Sequence, residues 1–122
     1  MIRKYVMDVY PRALFVAIDE TKDSINEFLN GNNGVSVYEI SKDSNATEQS
    51  VSDGQHGGSL IWFKNLSKVT QGIVAHEAFH ATMTFCDYLG INFDMTDNNE
   101  HVAYILQWIV NKVFETKWAM EG

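Results

Sequence analysis

At Ser67 the chain changes character, and that change restricts the architectures open to it. Before it, short β-prone runs alternate with polar and glycine-rich stretches; after it come two long segments with apolar residues at helical spacing. Tyr10 to Ile18 (YPRALFVAI) reads as a strand. Ile25, Phe28 and Leu29 predict a short helix from about Lys22 to Leu29, stopped by the Asn30-Gly31-Asn32-Asn33-Gly34 cluster. Val35 to Ile40 alternates at period two and predicts a second strand, and Ser59 to Phe63 (SLIWF) a third. Residues 41–58 between them hold almost nothing apolar and read as a long mobile loop or an irregular hairpin arm. From Ser67 the chain leads into a helix that runs to Asp87 or Tyr88 and closes at Gly90. A last helix follows from about Asn98 to Trp118. The expected fold is α+β: one domain, residues 1–122, with a small mixed sheet of about three strands packed on the two long helices.

Charge removes some functions. Sixteen acidic residues against nine basic ones give a formal net charge of −7, which argues against nucleic acid and anionic membrane surfaces as partners. No stretch approaches the roughly 20 apolar residues of a membrane-spanning helix, and MIRKYVMDVYPR has no apolar signal-peptide core. The expected location is cytoplasmic. The single cysteine, Cys86, excludes an internal disulfide framework and falls on the expected core side of its helix.

The chemistry concentrates in His76-Glu77-Ala78-Phe79-His80. On a helix, positions four apart differ by about 40°, so two imidazoles at this spacing share a face and reach one zinc ion. Glu77, turned by about 100°, is placed to take a proton from a zinc-activated water and deliver it to a leaving amine. Read along the helix, Ala75, Phe79, Thr82, Cys86 and Leu89 form an apolar arc for the core, with His76, His80, Met83 and Asp87 outside it. The plainer alternative is an exposed pair of histidines one turn apart.

A catalytic zinc usually takes three protein ligands and keeps one position open. Glu100, twenty residues after His80, is the candidate for the third, with His101 and Asp87 as rivals. Asp97-x-x-Glu100 also reads as a capping box, in which Glu100 bonds a free amide of the last helix. On that helix Val102, Ala103, Ile105, Leu106, Ile109, Val110, Val113 and Phe114 form a broad apolar stripe. Trp108 and Trp118 lie off its centre, in reach of an interface.

HEAFH followed by Asn99-Glu100 resembles the gluzincin class of zinc metallopeptidases. With YPRALFVAI and NNEHVAYILQWI, it also resembles small zincin-like domains of phage and prophage-type sequences. The likeness covers most of the chain, and its chemically specific part is the zinc motif. It implies a zinc cofactor held by His76, His80 and Glu100, Glu77 as general base and acid, and a peptide or protein substrate paired along SLIWF as the sheet edge. Larger gluzincins often have an aspartate where this chain has Tyr104, and carry their oxyanion donors on a second domain. Tyr104, one turn beyond Glu100, is the candidate donor here, ahead of Tyr88, His101 and His56. The expected activity is zinc-dependent peptide hydrolysis. The alternative is a zincin-like metal-binding or protein-interaction domain without turnover.

Overall fold

The computed structural model describes residues 1–30, 40, 41, 43–92 and 99–122. Its elements are strands β1 (Ile2–Val6) and β2 (Arg12–Ile18), helix α1 (Lys22–Asn30), strands β3 (Ala46–Ser52) and β4 (Gly57–Phe63), a 3₁₀ turn at Leu66–Lys68, and helices α2 (Gln71–Leu89) and α3 (Glu100–Glu121). The four strands form one mixed sheet in the order β1-β2-β4-β3. β1 is antiparallel to β2, β2 parallel to β4, and β3 antiparallel to β4.

The two central strands explain the layering. Successive side chains of a strand point to opposite faces, yet Ala13 through Ile18 of β2 are all fully buried, so both faces must be covered. Ala13, Phe15 and Ala17 pack with Ile25 and Leu29 of α1 and with Val51, Leu60 and Trp62. Leu14, Val16 and Ile18 pack on the other side with Ala78, Ala81 and Phe85 of α2 and with Ile105, Ile109 and Val113 of α3. β2 and β4 also approach closely: a Cβ on Gly58 would lie 1.8 Å from the Ala13 carbonyl oxygen, so only glycine fits there.

The fold class agrees with expectation, with four strands in the sheet rather than about three, while some elements are placed differently. β1 adds a strand whose IRKYV sequence gave no clear signal. Most of the strand expected at 35–40 lies outside the described residues, and Ile40, which is described, has no regular structure. Residues 41–58 take the hairpin alternative rather than the loop: β3 and the start of β4 occupy most of them as an antiparallel pair joined by a turn at 53–56. Finally, SLIWF is not an edge but lies within β4, between β2 and β3.

That turn is built around Asp53, which is 2% exposed. Its Oδ1 accepts the backbone N–H groups of Gln55 and His56 at 3.0 and 2.7 Å, and its Oδ2 pairs with the Lys4 ammonium from β1. Burial alone would raise the carboxyl's pKa, but the Lys4 and backbone donors outweigh it and hold Asp53 below the ordinary aspartate value. A depressed folded-state pKa contributes stability that is present above the unfolded value of about 3.9 and lost as pH falls through the folded one. Asp53→Asn is therefore expected to cost on the order of 1–2 kcal/mol at pH 7 in urea unfolding. The gap to wild type should close as pH drops below about 4; a gap of constant size would remove Asp53 from the acid limb.

Helix α2 has well-marked ends. Thr70 caps its first turn by accepting the Ile73 N–H. Gly90 stops it in the left-handed conformation (φ 68°), with the Ile91 amide bonding back to the Cys86 carbonyl at 2.9 Å. α3 is tied to β1 by the 2.7 Å hydrogen bond between the Tyr5 and Thr116 hydroxyls. Its buried residues are Val102, Ile105, Ile109, Val113 and Thr116; Ala103 of the expected stripe is exposed, and so is Trp118.

Candidate metal centre

The buried face of α2 is Val74, Glu77, Ala78, Ala81, Thr82, Phe85 and Cys86. This corrects the arc read from the sequence, because Ala75 and Phe79 are exposed and Glu77 is inside. The reason is that α2 packs on the sheet and on α3 at once, so no single apolar stripe marks its inner side. Cys86 is buried, and burial pushes its thiol pKa up, as for a packed, unreactive cysteine.

His76 and His80 stand on the exposed flank of α2. Their Nε2 atoms converge to 3.3 Å, with the rings edge to face. Two nitrogens each about 2.0–2.1 Å from a tetrahedral zinc would lie about 3.3–3.4 Å apart, so this pair has the spacing such an ion requires. Beside them, Glu77 is 7% exposed, and its Oε1 lies 3.9 Å from His76 Nε2. Burial pushes the Glu77 pKa up and the Glu48 carboxylate adds to this, while the two imidazoles oppose it. The net rise moves Glu77 in the direction that suits a proton acceptor working near neutral pH.

His76 and Glu77 line a cleft of about 250 Å³ together with Asn45, Ala46, Gly72 and Ile73. One wall is the start of β3, the true edge on this side of the sheet. Asn45 accepts from the Lys64 amide, and Asp53 donates to the His56 carbonyl. Antiparallel bonding alternates along a strand, so Thr47, Gln49 and Val51 share the ladder with β4. The backbone groups of Ala46, Glu48 and Ser50 are then turned to the free edge.

The other expected site residues are placed elsewhere. Glu100, His101 and Asp87 are exposed, and among the described residues no three His, Cys, Asp or Glu side chains are grouped to hold a metal ion. α2 continues from His80 to Leu89, about 13 Å of axis, before the chain turns towards α3. Glu100 is the first residue of α3 rather than its third, with Asn99 as the N-cap; Asp97, the other half of the expected capping box, lies outside the described residues. Tyr104 is 63% exposed and lines a different cavity, with Met7, Val9, Tyr10 and Trp108. Tyr88 stacks under the Arg12 guanidinium, and His56 sits in the β3–β4 turn. Glu48 was not singled out from the sequence: its Oε2 accepts the hydroxyls of Ser59 and Thr84.

No family model matches the chain, and neither a curated protein nor a solved structure does. Among the described residues, no helix is long and apolar enough to cross a membrane.

Proposed function

We propose that this chain is a zinc-dependent hydrolase of the zincin type that cleaves peptide bonds. The observation that carries the reading is the 3.3 Å convergence of His76 and His80 Nε2 beside the buried Glu77 carboxyl. His76 and His80 would hold the ion. When bound, zinc would supply a Lewis acid that polarises a carbonyl and lowers the pKa of water. Glu77 takes a proton from the attacking water and gives it to the leaving amine as the C–N bond breaks. The free edge of β3 holds an extended peptide by backbone hydrogen bonds at Ala46, Glu48 and Ser50, beside the cleft that His76 and Glu77 line. Tyr104 is retained as oxyanion donor on its spacing alone, one helical turn beyond Glu100.

Glu100 is the proposed third ligand, and ligation requires the start of α3 to come closer to the histidines than it stands here. Glu100→Gln is expected to weaken zinc binding by at least about tenfold in a competition titration, with His101→Ala and Asp87→Asn near wild type. Unchanged affinity in Glu100→Gln, with a large loss in one of the other two, moves the ligand there. A second reading, a zinc-binding or interaction domain without turnover, is favoured by the lack of a third ligand beside the pair among the described residues. A peptide-library assay on the zinc-loaded chain separates the two.

A further inference from the structure

Glu48 places a carboxylate between β3, the strand with the free edge, and the helix that carries the histidines. Its side chain leaves β3 on the α2 face, and Oε2 accepts the Ser59 hydroxyl from β4 at 2.7 Å and the Thr84 hydroxyl from α2 at 2.8 Å. Ser59 is fully buried, so its hydroxyl has no water to turn to, and the bond to Glu48 holds both in place. Thr84 lies one turn beyond His80 on the same flank of α2. A charged acceptor taking two hydroxyl donors forms a stronger and more directional link than apolar contact.

We propose that Glu48 is the positioning residue of this site: by tying β3 and β4 to α2 it sets the width of the cleft between the free edge and the His76–Glu77–His80 flank. The histidine spacing is a property of α2 alone, whereas the distance from that flank to a peptide on β3 depends on how the two elements are joined. Glu48 therefore governs how a peptide is seated and leaves metal affinity alone. This rests on the reading of the cleft as a zinc and peptide site, and the test separates the two.

The full chain is measured as wild type, E48A, E48Q, T84V and the E48A/T84V double variant. Zinc affinity is read by competition, binding of an extended peptide hydroxamate by titration of the zinc-loaded protein, and folding by thermal unfolding. E48A and T84V should each weaken hydroxamate binding by about tenfold, the size of one lost hydrogen bond to a charged group. The double variant should be no weaker than the weaker single, because both remove the same link. E48Q should rescue, since its amide oxygen still accepts both hydroxyls, and zinc affinity should be unchanged throughout. Unaltered hydroxamate binding in E48A, or additive losses in the double variant, overturns the proposal. E48Q as weak as E48A overturns the tether and assigns the effect to charge. Parallel loss of zinc, peptide and thermal stability reduces Glu48 to a fold contact and also overturns it. A wild type that takes zinc but no hydroxamate overturns the seating role while leaving the metal pair standing; one that takes no zinc overturns the proposed function itself.

Discussion

Glu77→Gln is expected to bind zinc as wild type does and to hydrolyse peptides more slowly by about 10²–10⁴-fold, the usual worth of a positioned general base. The substitution keeps the shape of a side chain that is almost wholly enclosed, so α2 has no reason to shift. What it removes is a carboxyl whose raised pKa, caused first by burial and then by Glu48, disposes it to accept a proton. The comparison is single-turnover hydrolysis of a library-selected peptide beside a zinc titration on the same preparations. A variant as fast as wild type would remove Glu77 from the mechanism, and one that lost zinc would turn it into a ligand.

His76→Ala or His80→Ala is expected to abolish stoichiometric zinc, measured as about one ion per chain in wild type by elemental analysis. One imidazole alone forfeits the second nitrogen that sits 3.3 Å away on the same flank, and hard all-oxygen ions such as calcium or magnesium are poorly served by what remains. Both side chains are exposed, so folding should survive either change, and thermal unfolding without zinc should differ little from wild type. Full-affinity zinc in the double alanine variant would dismantle the site.

What could be read from the sequence follows from which side chains speak through periodicity. α2 was legible to within a few residues because Thr70 and Gly90 mark its ends chemically. β2 was legible because a run buried on both faces is continuously apolar. The inner face of α2 was not, since a helix enclosed by a sheet on one side and α3 on another carries no single stripe; Phe79 looked like core and is half-exposed, while Glu77, not part of the apolar arc, is inside. β3 was invisible because ATEQSVS meets its neighbours through the Glu48–Ser59–Thr84 bonds rather than apolar contact, and Val51 is its only buried residue. The two histidines and the glutamate were legible because helix geometry fixes their relation locally. Whether Glu100 reaches the pair, as proposed, depends on how α2 and α3 meet, which spacing along the chain does not encode.

The polarity that hid β3 has a further consequence. A strand with one side of its backbone unpaired is a template for any other extended chain, including another copy of itself. Here that side carries Ala46, Glu48 and Ser50 with no long apolar side chain among them. Two such edges brought together would join chains that each carry net charge −7, with no long apolar side chain on these residues to offset the repulsion. Under the proposed function the same row of amides and carbonyls would accept a short peptide, while net charge resists zipping copies of the protein into a continuous sheet.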